Sequence, residues 1–143
     1  MFDPAERASC VQAEVADTLR MTSHPASAPK LTIALDIDDT ISRHPDFFAF
    51  LSQSLVQNGH RVLIITFRDE SGRDGTEADL ADWGIHYDEL ICWSIETCDL
   101  AKVDAWKAHL CREHRVDLFF EDDPNVLAYV DDTTVCMQPF NRY

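Results

Sequence analysis

From Leu31 to Met137 short apolar runs alternate with stretches of helical periodicity, and this alternation constrains the fold more than any other feature of the sequence. The runs at 31–36, 61–66, 89–94, 116–121 and 133–137 read as strands, and the patterns near 46–58, 76–83, 100–114 and 124–129 read as helices. Strands separated by helices imply an α/β protein. The expectation is a three-layer, Rossmann-like architecture with a central, mostly parallel five-stranded sheet covered on both faces. In the first of these helices Phe47, Leu51 and Leu55 fall on one stripe and are expected in the core, with Asn58-Gly59 as the C-cap. Ahead of the alternation, Val11, Val15 and Leu19 recur every four residues behind an Asp3-Pro4 start, which predicts a helix over 1–21 followed by a linker. Residues 1–30 are thus a helical appendage and linker, and 31–143 the folded domain. A chain of 143 residues, 45% of them hydrophobic, can bury one core but not two large ones.

The charge balance narrows the partners. Twelve basic against 26 acidic side chains give a formal charge of −14, which repels a nucleic-acid backbone over most of the surface. An extended nucleic-acid-binding face is therefore not expected, whereas a local contact with a strand end, bridged by a metal, is compatible with it. The five cysteines include no C-x-x-C pair and do not suggest a disulfide framework. No apolar run approaches the roughly 18 residues of a membrane span, and the acidic start does not resemble a signal peptide, so the expected location is the cytoplasm. The histidines have no spacing that suggests zinc: His109 and His114 are not one helical turn apart.

Parallel strands finish at a common edge, where open α/β sheets hold their ligands. At that edge the first strand delivers Asp36, Asp38 and Asp39, the second Thr66 followed by Arg68, and the fourth Glu121, Asp122 and Asp123. Gathering several anions is costly unless a cation neutralises them. An oxygen-rich cluster suits Mg²⁺, which retains waters and bridges to phosphate. The pattern points to metal-assisted phosphoryl transfer. Two lysines on the helix before the fourth strand can complete the set. Lys102 lies in its first turn, near the active edge, whereas Lys107 is about 7.5 Å farther along the axis at about 1.5 Å per residue; Lys102 is the expectation and Lys107 the alternative.

Asp36-x-Asp38-x-Thr40, a strand ending in Thr66, an isolated lysine and a strand closing on Asp122-Asp123 together resemble the four motifs of the haloacid dehalogenase superfamily, over residues 31–137. Ile64-Ile65-Thr66-Phe67-Arg68, Thr76, Leu80 and Trp83, and Tyr87-Asp88-Glu89-Leu90 are similar to its capless nucleotidase-like and polynucleotide 3′-phosphatase-like members. The resemblance implies that Asp36 is a nucleophile forming an aspartyl-phosphate, and that Asp38 protonates the leaving oxygen and later activates water. It further implies that Mg²⁺ is held by Asp36, the Asp38 carbonyl and Asp122, with Asp123 assisting through water, while Thr66 and the lysine bind the phosphoryl group. Asp39 and Glu121 stand where many members have glycine.

Neither position at which such proteins carry a cap has room for one, so the site is expected to be open. That suits a phosphate at the end of a macromolecule, or a small phosphorylated molecule covered by a second copy of the chain in a homo-oligomer. Residues 67–75 carry Gly72 and Gly75 together with Arg68 and Arg73, and read as a mobile, anion-gripping substitute for a cap, with Arg43 a further candidate. The reading is an Mg²⁺-dependent phosphomonoester hydrolase. Its alternative is a catalytically idle metal-binding module that recognises a phosphorylated partner.

Overall fold

The computed structural model describes residues 28–140, so the helix expected over 1–21 lies outside the described residues. Five strands, β1 (Thr32–Leu35), β2 (Arg61–Asp69), β3 (Glu89–Trp93), β4 (Leu118–Phe120) and β5 (Val135–Met137), form one sheet in the order β3-β2-β1-β4-β5. Every neighbouring pair is parallel. The helices are α1 (Pro45–Gln57), α2 (Arg73–Asp82), α3 (Val103–Glu113) and the single turn α4 (Pro124–Leu127).

Successive side chains of a strand point to opposite faces, and the core divides accordingly. Ile33 and Leu35 of β1 pack with Val62 and Ile64 of β2 against Phe48 of α1 and Leu80 of α2. On the other face Ala34, Leu63, Ile65 and Phe119 pack against Trp106, Leu110 and Cys111 of α3 and Val126 of α4. The helices therefore cover both faces in pairs, giving three layers. Central strands buried on both faces must be apolar throughout, which is why β1 and β2 read as unbroken hydrophobic runs.

Leu35 pairs with Ile64 on one side and Phe120 on the other, so the residues that follow β1 and β4 emerge side by side. The strand order reverses between these two strands, since the chain first winds outward through β2 and β3 and then returns to lay down β4 and β5. A doubly wound sheet opens its ligand crevice at the carboxyl ends of such a pair.

Two expectations need correction. Phe47 is 52% exposed, and its neighbour Phe48 takes the core position, in edge-on contact with both Phe47 and Phe120. Leu51 and Leu55 do pack against the core, and Phe48, three residues before Leu51 and seven before Leu55, continues their stripe better than Phe47 does. Residues 67–75 are not a mobile loop: β2 continues to Asp69, a 3₁₀ turn occupies Glu70–Gly72, and α2 begins at Arg73. The Asp69 side chain accepts from the Ser71 N–H and caps that turn. The four cysteines among the described residues are free, and no helix there is long and apolar enough to cross a membrane.

Candidate active site

Immediately after β1 the backbone makes a wide turn over Ile37–Ile41, closed by the Ser42 N–H donating to the Ile37 carbonyl at 2.9 Å. Within it Asp38 stays extended and Asp39 is left-handed, at φ 60° and ψ 3°. Asp tolerates that region better than most residues, and glycine would suit it better still. The Asp36 N–H donates to the Phe120 carbonyl at 2.9 Å, continuing the β1–β4 ladder by one bond and fixing Asp36 beside Glu121.

Asp36 and Asp38 line a cavity of about 170 Å³ together with Glu121, Asp122 and Asp123, and Phe67 and Lys107 complete its wall. Such a space is well below the roughly 300–1,000 Å³ of pockets that engulf a ligand. It suits a phosphoryl group and an ion rather than an enclosed nucleoside.

Lys107 is the lysine of this site, and Lys102 is not. The Lys107 ammonium donates to Asp36 Oδ1 and to Glu121 Oε2, both at 2.6 Å, and also lies 4.5 Å from the Phe67 ring centroid. Lys102 is exposed and lines a different groove. Two physical facts outweigh axial distance along the helix. Side chains tilt toward the N-terminus of their helix, so a long lysine recovers much of the offset. Lys107 also falls within the buried stripe Trp106, Lys107, Leu110, Cys111 that faces the sheet. A charged residue inside an apolar stripe signals a buried, paired charge, and this was the clue in the sequence.

Buried charge dominates the electrostatics here. Asp36 (4% exposed), Lys107 (1%) and Glu121 (1%) are all buried. Burial, opposed by Lys107, holds the Asp36 carboxyl above its ordinary value. Burial likewise pushes Glu121 up to about 7, with the Asp36 charge adding to it. Burial works against the Lys107 ammonium, but its two carboxylate neighbours outweigh it and raise its pKa. Asp36, Glu121 and Asp122 each present a carboxylate oxygen within 4.8 Å of the others. Three carboxylates against one ammonium leave two negative charges uncompensated when all are ionised, and Asp36 Oδ2 is buried with no hydrogen-bond partner. A divalent cation satisfies both deficits, so the residues present fit Mg²⁺.

Several surrounding groups hold this arrangement. The Thr40 hydroxyl, fully buried, donates to Asp122 Oδ1 at 3.4 Å, and Gln138 Nε2 donates to the Asp122 carbonyl at 2.9 Å. Glu121 Oε1 accepts from the Asp123 N–H at 3.0 Å. Asp123 lines the cavity, yet its Oδ1 accepts from the Asn125 N–H and Nδ2, so it is the N-cap of α4 and is not among the three clustered carboxylates. Glu121, rather than Asp123, is the third carboxylate of the cluster.

The remaining expected residues divide. Arg68 reaches the site through Asp38: its Nε and Nη2 donate to both Asp38 oxygens at 2.9–3.2 Å, while Nη1 donates to Asp79 Oδ2 at 2.7 Å. The hydrogen bond to Asp38 is the largest influence raising the Arg68 pKa. Thr66 is fully buried at the end of the core part of β2, where its hydroxyl accepts from the Arg68 N–H at 3.1 Å, and it does not line the cavity. Arg73 does not join the site either. It donates to Glu70 at 2.6 Å and to the Leu90 carbonyl at 3.1 Å, tying the start of α2 to β3. Arg43 sits 3.6 Å from Asp39 in an exposed ion pair.

No protein-family model matches this sequence, and no curated protein matches it. Among solved structures, a chain of the "Pnkp1/Rnl/Hen1 RNA repair complex" matches with a TM-score of 0.61 and 19% identity over 97% of this chain and 57% of the other. A chain of a second "Pnkp1/Rnl/Hen1 complex" matches with a TM-score of 0.60 and 25% identity over 80% and 47%. This chain spans about half the length of the solved chains it matches. Its fold, a three-layer α/β sandwich with an all-parallel five-stranded sheet, is thus shared with components of RNA repair assemblies.

Proposed function

We propose that this chain is an Mg²⁺-dependent phosphomonoester hydrolase that works through an aspartyl-phosphate on Asp36 and acts on terminal phosphates of nucleotides or nucleic-acid strands. The observation that carries the reading is the state of Asp36. It is a buried carboxylate at the topological switch point, with one oxygen held by Lys107 and the other left without a well-formed hydrogen bond beside Thr40, Asp122 and Glu121. A purely structural aspartate in that position would have both oxygens satisfied. The likeness to chains of RNA repair complexes supports the choice of substrate class.

In this mechanism an Asp36 carboxylate oxygen attacks phosphorus in line, the bond to the leaving oxygen breaks, and Asp38 supplies the proton that oxygen needs. Asp38 then takes a proton from water, whose oxygen displaces phosphate from Asp36 and restores the carboxylate. Lys107 keeps Asp36 oriented and offsets negative charge as phosphate approaches. Asp36, Asp122 and Glu121 would hold Mg²⁺, which supplies charge neutralisation of the phosphoryl oxygens. Arg68 occupies both Asp38 oxygens with hydrogen bonds, so the guanidinium must give up part of that pairing to substrate before Asp38 can reach the leaving oxygen.

The Arg68–Asp38 chelate is also the observation that favours the second reading, a phosphate-recognising module without turnover. The two are separated by phosphate release from a generic aryl phosphate. The hydrolase reading expects Mg²⁺-dependent release that is abolished by Asp36→Asn and by chelation of the metal. Full activity in Asp36→Asn rejects the nucleophile, and no release by the wild-type chain, with Mg²⁺ and phosphate still bound, selects the idle module.

A further inference from the structure

A second concavity, of about 440 Å³, runs along α3 on the side away from Lys107. Lys102, His109 and Arg112 line it, with Trp106 and Cys98 at its floor and Asp99 as the one carboxylate of the lining. Asp99 is already engaged, since its side chain accepts from the Ala101 N–H at 3.0 Å and caps the 3₁₀ turn ahead of α3. His109 lies 3.7 Å from Glu113, while neither Lys102 nor Arg112 forms an ion pair within 4 Å among the described residues, although the Arg112 charge is felt by Asp131. On a chain of charge −14, two cations without close ion pairs and an imidazole sharing one groove are a departure from the surface average.

Geometry connects this groove to the Asp36 cavity. Helix α3 follows β3 and leads into β4, so its N-terminal end, with Lys102, stands at the carboxyl edge of the sheet. The wall between the two spaces is a pair of rings: Phe67 lines the cavity, Trp106 lines the groove, and their centroids are 5.7 Å apart. From Lys102 to Arg112 the groove follows the helix for about 15 Å at about 1.5 Å per residue, long enough for more than one phosphate.

We propose that this groove binds the sugar–phosphate backbone of a single-stranded nucleic acid whose terminal phosphate enters the Asp36 cavity. The proposal rests on the hydrolase reading for what happens at the strand end, but the groove itself is a binding site with its own readout. A cavity of about 170 Å³ holds little beyond the phosphoryl group, so affinity for a strand must come from outside it, and only cations can supply it against a repelling surface. Lys102, unsuited to the catalytic centre, has its place here.

The test is fluorescence anisotropy of a labelled single strand of about eight nucleotides lacking a terminal phosphate, titrated with the full chain over a salt series. The Lys102→Gln/Arg112→Gln variant is compared with Lys30→Gln/Arg61→Gln, which removes the same charge where strands β1 and β2 begin. The groove variant is expected to bind about tenfold more weakly, with a log–log salt slope shallower by about 1.4, for two contacts at about 0.7 each. The control is expected to change affinity by less than about twofold. Equal losses in both variants, or no loss in the groove variant, overturn the proposal. Aryl phosphate turnover by the wild-type chain separately decides the hydrolase reading, so either idea can fail while the other stands.

Discussion

Replacing Lys107 with methionine is the sharpest perturbation of this molecule, because it keeps most of the side-chain volume and removes only the charge. Two hydrogen bonds of 2.6 Å disappear, and Asp36 and Glu121 are left facing each other in a site that is nearly dry. Hydrogen bonds to charged groups contribute about 1.5–3 kcal/mol each, and removing one partner of a buried pair costs about 3–5 kcal/mol. The loss at pH 8 without metal is therefore expected at about 3–5 kcal/mol. For a chain between the size classes of known scaling this lowers Tm by about 10–15 °C. Thermal and urea unfolding followed by tryptophan fluorescence measure it, with Trp106 on the same helix as reporter. Added Mg²⁺ is expected to recover part of the loss by taking over charge compensation, and so is Lys107→Met/Glu121→Leu, which replaces the pair by apolar groups. Lys102→Met should stay within about 0.5 kcal/mol of wild type, as surface changes do. A Lys107→Met variant within about 1 kcal/mol of wild type, or a Lys102→Met variant equally damaged, would refute the assignment of the buried network.

Two further outcomes follow from the same site. Glu121 and Asp36 hold their protons more tightly folded than unfolded, so their contribution to stability is complete below the ordinary carboxyl range. It is lost as pH rises toward and through about 7, where Glu121 ionises in the folded chain. Metal-free urea unfolding between pH 4.5 and 8 should therefore show wild type losing stability relative to Glu121→Gln, and parallel curves would contradict the burial argument. At the left-handed Asp39, substitution by glycine is expected to be neutral or stabilising by less than about 1 kcal/mol, and by valine to cost about 1–2 kcal/mol. Equal stability of the two variants in urea would show that the turn does not need that backbone conformation.

The fold was readable because its core strands carry residue types that only a doubly covered sheet can bury: Ile33, Ala34 and Leu35 are all essentially inaccessible, and no amphipathic alternation competes with that reading. Edges were less legible. β5 retains exposed Val135 and Met137, and its limits were set by pairing to β4 rather than by its own pattern. At the site, Asp36 and Asp122 could be found because strand ends in a parallel sheet share an edge, a matter of topology alone. The lysine could not be found by the same reasoning, since its placement depends on side-chain reach and on which stripe of α3 faces inward. Glu121 was visible as a carboxylate but not as the partner of Lys107, because that role exists only once both are buried. Arg68 and Arg73, alike in sequence, part company through neighbours: Asp38 and Asp79 draw one toward the site, and Glu70 draws the other to the α2–β3 junction.

The pairing of β1 with β4 also governs when the acidic cluster assembles. Asp36 and Glu121 are 85 residues apart and become neighbours only when β4 docks, a long-range parallel pairing of the kind that forms late in folding. Docking must press two anions together, and Lys107, carried on the intervening helix, arrives with the strand it accompanies. Until β4 docks, Asp36 and Glu121 stand apart, so a half-folded chain does not yet possess the acidic cluster at all.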